Sequence, residues 1–299
     1  MPELAERDVK AGGVRLRVLD VGSGPPALLL HGLFSDHTAW VPVVEQLAPE
    51  FRLIAPDLPG FGESEKPPVK RFPYDIDAFV ECIADLYAAL GLGPATVVGH
   101  GLGGAVALSL STRYGELVSR LVLMDAHCYP ARLNLQWRLA LLPVVGSIGV
   151  RQLVGRAAFR AIYRDRLMGP RTSIPLERID HHYARFSVPP ARESALATLR
   201  ATHDARSIVA QTGRVTAPTL VIWGRHDKLY PAAHGQRLAR EIRHAGFELL
   251  DAGHSPHEEA PQVVATTLQR FMRAERPSGE VRVPRTESVP SIPPQRSSG

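Results

Sequence analysis

Two residues that could act together as a proton acceptor lie just beyond the last two apolar runs of the chain. Asp227 follows the run Thr219–Trp223, and His254 follows the run Phe247–Leu250. A carboxylate that holds one imidazole nitrogen fixes the tautomer, so that the other nitrogen can take a proton from water, a substrate or a nucleophile. Taken singly, Asp227 is typical of a turn and His254 of a loop, so the prediction depends on the pair.

The segment Val97–Gly104 has the strand–turn–helix setting of a nucleophile elbow, the sharp G-x-S-x-G turn that exposes a catalytic nucleophile. The residue at the nucleophile position is Gly101, which has no side chain. A shifted register offers no substitute, because no Ser, Cys or Asp lies between Thr96 and Leu108. Glycine also relaxes the unusual backbone geometry that the elbow imposes on other residues.

The elements that would position these residues alternate between short apolar runs and helical patterns. The runs Ala27–Leu30, Arg52–Ala55, Thr96–Val98 and Leu121–Met124 resemble strands buried on both faces. The segment Val14–Val21 alternates in polarity, which predicts a strand at the sheet edge. This alternation predicts an α/β fold: a mostly parallel twisted sheet with helices on both faces.

Helical patterns are clearest on either side of the elbow and near the end of the chain. Apolar residues recur at helical spacing over residues 76–90, where Asp75 is placed to cap the start and Gly91 to end the helix. The segment Leu102–Tyr114 is small and apolar, as suits a helix buried against a sheet. Pro261 is placed to open a final helix.

Residues 129–215 interrupt this alternation. They contain no clear strand, read as several helices, for example around Leu153–Leu167, and carry 14 Arg, no Lys and five acidic residues in a chain of net charge +5. We therefore predict a helical cap, or lid, at 129–215, inserted into a core formed by 1–128 and 216–275. A solvated helical surface is the simpler explanation of the charge, and a surface for an anionic partner is the alternative. The Pro-, Ser- and Arg-rich stretch 276–299 predicts a disordered tail.

Over residues 10–275 the chain resembles the α/β-hydrolase superfamily, in its epoxide-hydrolase and C–C-hydrolase-like branches with a helical cap. The resemblance rests on five motifs that occur in the order of that family. They are the oxyanion loop His31–Phe34, the D-x-P-G-x-G-x-S segment Asp57–Ser64, the elbow Val97–Gly104, the acid loop Gly224–Asp227 and the histidine loop Gly253–Ser255.

The resemblance implies a triad whose elbow residue, normally serine and sometimes aspartate or cysteine, attacks the substrate. Asp227 and His254 match the acid and the base of the family, whereas Gly101 departs from its pattern. The backbone N–H groups of Leu33 and Leu102 match the oxyanion hole, and Leu102 also opens a helix whose dipole favours negative charge. Loss of a triad serine lowers kcat by a factor on the order of 10^6, which corresponds to about 8 kcal/mol. The oxyanion hole and substrate binding alone leave a rate enhancement of roughly 10^3–10^4 over the reaction in water.

Other polar positions receive structural interpretations. Ser35 is interpreted as a helix cap, Cys128 as a loop cysteine near the mouth of the site, and the pair His181–His182 as cap residues without metal-ligand spacing. Asp125 matches an alternative acid position in some branches of the family, which Asp227 makes unnecessary.

Two classes of function stay open. The first is a hydrolase of a small ester, amide, epoxide or C–C-bond substrate that works at most through His254, assisted by Asp227, as a general base on water or on the substrate itself. The second is a non-catalytic ligand-binding pseudoenzyme that keeps the pocket between sheet and cap. A serine hydrolase inactivated by a Ser-to-Gly change is a further account of Gly101. The expected ligand is small and partly apolar, with an anionic group as an option.

Composition argues against several other classes. Two cysteines, Cys82 and Cys128, exclude a disulfide scaffold and a Cys-based zinc site. The basic residues lack a nucleic-acid-binding motif and interleaved aromatics. The longest apolar run, Leu139–Val150, spans about 12 residues where a membrane helix needs about 20, and no signal peptide is recognisable. We therefore expect a cytoplasmic protein without a metal, a cofactor, a membrane span or a nucleic-acid partner.

Overall fold

A computed structural model of the chain describes residues 5–130, 141–142, 154–170 and 174–274. The strands are β1 Glu6–Ala11, β2 Val14–Val21, β3 Pro26–Leu30, β4 Arg52–Pro56, β5 Ala95–His100, β6 Val118–Met124, β7 Thr219–Gly224 and β8 Ala245–Leu250. They form one sheet in the order β1-β2-β4-β3-β5-β6-β7-β8.

The sheet is antiparallel at one end and parallel elsewhere. β2 runs antiparallel to both β1 and β4, and the pairs from β4–β3 through β7–β8 are all parallel. The central strands β5 and β7 are buried along their whole length because helices cover both faces. The predicted fold class, an α/β fold with a mostly parallel sheet, is confirmed.

The prediction that Val14–Val21 lies at the sheet edge is wrong. β1 pairs along the outer side of β2, from Glu6 opposite Leu19 to Ala11 opposite Val14. The sequence of β1 is mostly polar and most of its residues are exposed, so hydrophobic periodicity carries no signal for it.

Helices occupy the connections between strands. They are α1 Val41–Leu47, α2 Ile76–Leu90, α3 Leu102–Arg113, α4 Arg156–Ile162, α5 Leu176–Ser187, α6 Pro189–Thr202, α7 Arg206–Val209, α8 Ala232–Glu241, α9 Pro256–Glu259 and α10 Pro261–Arg273. Short 3-10 turns cover His37–Trp40, Gly115–Leu117 and Thr212–Arg214, and a π-helical turn covers Tyr163–Leu167.

The helix signals in the sequence correspond to observed ends. The Asp75 side chain accepts a hydrogen bond from the Ala78 N–H at 2.8 Å, which caps α2. Gly91 ends the same helix in the left-handed conformation, with φ 60°. Pro261 is the first residue of α10.

The core lies on both faces of the sheet. One apolar cluster joins the sheet to α2, α3 and α8 through residues such as Phe79, Leu108 and Leu238. A second cluster on the opposite face joins it to α1 and α10 through residues such as Val44 and Leu268. The elbow between β5 and α3 is thereby fixed in the middle of the molecule.

Helices α4–α7 and the π-helical turn lie between β6 and β7 in the chain, and we call this set the cap. Its bounds at 129–215, and the division of the core into 1–128 and 216–275, stay predictions. The predicted tail 276–299 lies outside the described residues. Several cap arginines form ion pairs with carboxylates, and two of them share Asp180. They are Arg156, Arg160, Arg164, Arg185 and Arg206.

Within the described ranges, no helix is both long enough and apolar enough to cross a bilayer.

Candidate active site

Gly101 forms the turn between β5 and α3 in a conformation that glycine alone adopts easily. Its φ is 52° and its ψ is −115°. The Gly101 N–H donates to the carbonyl of Met124 at 3.0 Å, and the Gly101 carbonyl accepts from the His127 N–H at 2.9 Å. These bonds fix the elbow against the end of β6.

The space beside Gly101 is open on the side where a side chain would project. A Cβ placed on Gly101 would lie 3.5 Å from Gly32 Cα and 3.6 Å from His254 Nε2, both ordinary van der Waals distances. A small side chain would therefore fit beside the imidazole, although the backbone conformation would be strained.

The structure brings Asp227 and His254 together. His254 Nδ1 lies 2.8 Å from Asp227 Oδ2. The other carboxylate oxygen accepts hydrogen bonds from the backbone N–H groups of Leu229, at 2.7 Å, and Tyr230, at 3.0 Å. Asp227 is an acceptor in all three contacts, so the Nδ1 proton belongs to the imidazole and Nε2 is left as the acceptor that faces Gly101.

The environment of Asp227 favours its charged form. Burial opposes ionisation, but the His254 imidazole and the two backbone donors outweigh this effect and hold the pKa of Asp227 below its usual value. An ionised carboxylate at this place stabilises the imidazolium that forms when Nε2 takes a proton.

Asp125 supplies a second buried carboxyl beside the pair. It follows β6 with φ 42°, and its Oδ1 accepts from the Gly224 N–H at 2.9 Å. One oxygen or nitrogen from each of Asp125, Asp227 and His254 lies within 4.8 Å of the others. Burial, and then the negative charge of Asp227, raises the pKa of Asp125 well above its usual value. Asp125 is therefore stable as the neutral acid next to an ionised Asp227.

Leu33 and Leu102, whose amides are expected to form an oxyanion hole, are both at the same cavity. Neither backbone N–H donates a hydrogen bond to any residue that the structure describes. His31 fixes the loop that carries Leu33: His31 Nε2 accepts from the Leu58 N–H at 2.9 Å, and Nδ1 donates to the carbonyl of Gly32 at 2.8 Å. Burial lowers the pKa of His31, which keeps the ring neutral as this pattern requires.

Glu259 holds the backbone on both sides of His254. Its carboxylate accepts hydrogen bonds from the N–H groups of Gly253, at 2.9 Å, and Ser255, at 3.1 Å. The same carboxylate accepts from the Gly169 N–H of the cap at 2.8 Å. One side chain thus ties the histidine loop to the cap.

The cap also contacts the histidine loop directly. The His254 N–H donates to the carbonyl of Leu167, the last residue of the π-helical turn, at 2.6 Å. A Cβ on Gly253 would lie 2.3 Å from that carbonyl oxygen, so only glycine permits this approach. π-Helical turns occur often at functional sites, and this one lies against the base.

A buried histidine of the cap joins two loops of the core. His182 Nδ1 lies 3.2 Å from Asp36 Oδ2, and His182 Nε2 lies 3.2 Å from Glu258 Oε2. Burial disfavours the charged imidazole, but the Glu258 and Asp36 carboxylates outweigh it and raise the pKa of His182 to about 10. The protonated ring bridges the loop after Leu33 and the helix after His254.

The cavity over Gly101 has a volume of about 240 Å³ and is mostly apolar. Its apolar and aromatic lining consists of Leu33, Phe34, Leu102, Val154, Phe159, Ile162, Tyr163, Leu167, Phe186, Leu199, Leu229 and Tyr230. Two cations, Arg166 and Lys228, line it as well. Lys228 Nζ donates to the backbone carbonyl of Asp165 at 2.8 Å, and no described carboxylate forms an ion pair with Arg166.

Ser35 and Cys128, two further polar residues noted in the sequence, have local roles. Ser35 lines the cavity, but the cap of the following 3-10 turn is Asp36, whose side chain accepts from the Thr38 N–H at 2.9 Å. Cys128 is fully buried and does not line the cavity, and burial raises the pKa of its thiol.

Two groups of side chains have metal-ligand spacing in the described residues: Asp36, His37 and Asp57, and Asp125, Asp227 and His254. In the first group, Asp57 Oδ1 is engaged by the backbone N–H and the Nδ1 of His37, at 2.7 and 2.8 Å. In the second group, Asp227 and His254 are engaged with each other. In each group, direct hydrogen bonds among its own residues thus occupy atoms that a cation would need as ligands.

Sequence reasoning did not assign the roles of Glu258, Glu259 and His182. The two carboxylate partners of His182, and the Gly169 partner of Glu259, are distant in the chain, and no spacing rule brings them together. The doublet His181–His182 was visible in the sequence, but its carboxylate partners were not.

Residues 27–267 match the alpha/beta hydrolase family. An uncharacterized protein of Mycobacterium tuberculosis is 31% identical over 283 residues, which span 89% of this chain and 80% of that protein. The 2-hydroxymuconate semialdehyde hydrolase of Pseudomonas sp. strain CF600 is 31% identical over 278 residues, which span 91% of this chain and 94% of that protein. The crystal structure of a serine hydrolase involved in carbazole degradation superposes with a TM-score of 0.74 at 26% identity, over 90% of this chain and 98% of that one.

Proposed function

This chain belongs to the alpha/beta hydrolase family, and on that premise we propose that it is a hydrolase in which His254, assisted by Asp227, acts as a general base directly on water. The observation that carries the proposal is the open space between Gly101 and His254 Nε2. The ideal Cβ position of Gly101 lies 3.6 Å from Nε2 and carries no atom, and both residues line the cavity, so a water in the cavity beyond Gly101 can approach the nitrogen to hydrogen-bonding distance.

The reaction proceeds without an acyl-enzyme. His254 Nε2 takes a proton from the water as its oxygen attacks the carbonyl carbon of the substrate. The Leu33 and Leu102 N–H groups bind the oxyanion that develops, and the Asp227 carboxylate stabilises the imidazolium. The bond to the leaving group then breaks, and the leaving oxygen takes the proton from Nε2.

The lack of a nucleophile at the elbow limits the expected rate of hydrolysis. Through its oxyanion hole and substrate binding, a site without its nucleophile keeps a rate enhancement of roughly 10^3–10^4 over the reaction in water. A positioned general base contributes a factor of about 10^2–10^4 in rate. We therefore expect a slow hydrolase that works best on activated carbonyl substrates.

The cavity favours a substrate with an apolar body. Twelve of its lining side chains are aliphatic or aromatic, so an acyl chain or an aromatic ring is the part that it would bury. The cations Arg166 and Lys228 favour a carboxylate at the other end of the molecule. A relative that shares 31% identity is named for hydrolysis of 2-hydroxymuconate semialdehyde.

A non-catalytic binding role is the second candidate, and Gly101 is the observation that favours it. A ligand in the cavity would meet no side-chain nucleophile at the elbow. Such a ligand would persist, as a binding protein requires.

The test is hydrolysis of p-nitrophenyl butyrate by the parent, by His254→Asn, and by the matched control His203→Asn, which changes an exposed cap histidine. We expect His254→Asn to lower the rate by about 10^2–10^4, the contribution of a general base, and His203→Asn to leave it unchanged. The parent should show no burst of p-nitrophenol and no labelling by a fluorophosphonate, because no acyl-enzyme forms. Equal rates in the parent and His254→Asn would overturn the hydrolase proposal and favour the binding role.

A further inference from the structure

Glu258 brings one carboxylate oxygen to the mostly apolar cavity. It lines the cavity, and only 2% of its side-chain surface is exposed. Its Oε2 lies 3.2 Å from His182 Nε2. No residue that the structure describes donates a hydrogen bond to the other oxygen, Oε1, and this oxygen is not completely enclosed by protein atoms. The accessible surface of Oε1 therefore lies in the cavity, where a ligand could reach it.

The charges around His182 leave a negative excess beside the cavity. The protonated imidazole lies between the carboxylates of Asp36 and Glu258, at 3.2 Å from each, so one positive charge faces two negative charges. The neighbouring His181, whose Nε2 lies 3.7 Å from Asp36 Oδ2, adds no second cation, because burial lowers its pKa. Glu258 is the member of this cluster that lines the cavity.

The segment after His254 holds the Glu258 carboxylate in place. The Glu258 N–H donates to the Ser255 carbonyl at 2.9 Å, and the contact of Oε2 with His182 fixes the end of the side chain. His254, Ser255 and Glu258 all line the cavity. A group bound to Oε1 would therefore share the cavity with an acyl group at the base, on a carboxylate that is already oriented for binding.

We infer that Glu258 Oε1 binds a protonated primary amino group, so that the ligand of this cavity is an amine with an apolar body. The inference rests on the proposed function, because it names a further part of the substrate in the same cavity, although the binding itself needs no turnover. Arg166 is exposed, whereas Glu258 is buried, so a carboxylate and an amino group of one ligand would meet different parts of the cavity.

Hydrogen bonding and charge both select an amine at Oε1. A ligand without a donor would cover this carboxylate oxygen and leave it without water or a partner, which is unfavourable. An ammonium group has three donors and no acceptor, so it fits an acceptor oxygen. A hydroxyl group also donates, but a hydrogen bond between two charged groups is stronger. We therefore expect binding to weaken from ammonium to hydroxyl to methyl.

The experiment compares the binding of hexylamine, which is protonated at neutral pH, with that of hexanol. The two ligands have the same apolar body, and isothermal titration calorimetry measures the Kd of each. The readout is the ratio of the Kd of hexanol to the Kd of hexylamine. We expect a ratio of about ten or more in the parent, because charge-assisted hydrogen bonds are roughly twice as strong as neutral ones.

The variant Glu258→Gln removes the negative charge and keeps the length of the side chain. Its one amide oxygen can still accept from His182 Nε2, so that the amide nitrogen takes the place of Oε1 and offers donors to the cavity. The ratio should then fall to about one or below. Glu45→Gln is the matched control, because it removes the same charge at an exposed position of α1 and should keep the ratio of the parent.

The outcomes separate this site from the proposed function. A parent that binds hexylamine no more tightly than hexanol overturns the amine site, and so does a preference that survives in folded Glu258→Gln. If Glu258→Gln does not fold, the ratio in the parent decides the question. Equal hydrolysis of p-nitrophenyl butyrate by the parent and by His254→Asn overturns the general-base mechanism and leaves a preference for hexylamine intact.

Discussion

The φ of 52° and ψ of −115° at Gly101 make the elbow a place where one side chain changes both rate and stability. A residue with a Cβ in such a region costs about 1–3 kcal/mol. Glycine avoids this cost and removes the nucleophile at the same position. Stability and catalytic power are therefore opposed at a single residue.

At this scale we predict that Gly101→Ser raises the hydrolysis of short p-nitrophenyl esters by several decades. The hydroxyl would lie against His254 Nε2, and a nucleophile and its base recover their activity as a unit. The free energy of unfolding should fall by about 1–3 kcal/mol because serine must accept the elbow conformation. Ester hydrolysis, denaturant unfolding and fluorophosphonate labelling check these effects, with Gly91→Ser as the control for a serine that replaces a positive-φ glycine away from the site.

A folded Gly101→Ser protein that is neither labelled nor faster than the parent would contradict this prediction. It would mean that the imidazole and the oxyanion amides are not aligned for a serine.

At the scale of elements, the helix that follows His254 is attached to the cap at two neighbouring residues. Glu259 accepts from the Gly169 N–H, and Glu258 binds the His182 side chain. Both contacts are buried or partly buried. At such places a hydrogen bond to a charged group stabilises the fold by about 1.5–3 kcal/mol. The position of the imidazole therefore depends on the docking of the cap.

We predict that Glu259→Gln lowers kcat of the His254-dependent reaction more than it raises KM. An amide offers one acceptor oxygen where the carboxylate offers two, so at least one of the Gly253, Ser255 and Gly169 N–H groups loses its partner. The free energy of unfolding should fall by about 1–3 kcal/mol. Glu45→Gln, on the exposed side of α1, is the matched control and should change neither quantity.

A second prediction concerns His182 and pH. Its pKa is about 10 in the fold against 6.5 for the ordinary side chain, so its stabilising contribution is complete below about pH 6.5 and is lost as pH rises through about 10. The difference in unfolding free energy between the parent and His182→Gln should therefore shrink between about pH 6 and about pH 10. Denaturant titrations at several pH values measure it, and His203→Gln should show no such trend. A difference that is constant with pH would contradict the assigned charge.

The sequence predicts most of the elements but few of the contacts between them. Apolar runs and end signals such as Asp75 and Gly91 were sufficient for β2–β8 and for α2, because these patterns act over a few residues. β1 was missed because its polar sequence forms a strand only by pairing with β2. The Glu259 contacts could not be predicted, since they join Gly169 to a loop about 90 residues later in the chain.

At the scale of the whole molecule, the net charge of +5 is distributed unevenly. Many cap arginines are balanced by carboxylates: Arg160 pairs with Asp180 and Arg185 with Glu63. Arg166 differs because it lines the cavity and no described carboxylate pairs with it. A ligand in the cavity would therefore lie beside the positive charges of Arg166 and Lys228.

We predict that the protein prefers a p-nitrophenyl ester with a free carboxylate, such as mono-p-nitrophenyl glutarate, over a neutral ester of similar length. Arg166→Gln should lower kcat/KM for the anionic ester by up to about fivefold, as expected for an exposed charge pair, and leave the neutral ester unchanged. Arg164→Gln is the matched control, because Arg164 already pairs with Asp165. Added salt should reduce the preference, and a preference independent of salt would remove Arg166 from recognition.

The hydrogen bond from the His254 N–H to the carbonyl of Leu167 bears on the order of two events, closure of the cap and proton transfer. A cap that swings away to admit a ligand must break this bond and the one from Gly169 to Glu259, and it thereby releases the backbone that holds the base. In the proposed reaction, proton transfer would therefore follow the return of the cap, and a molecule with an open cap would be inactive. Closure and chemistry would then be successive steps of one cycle, and the slower of the two would set the turnover.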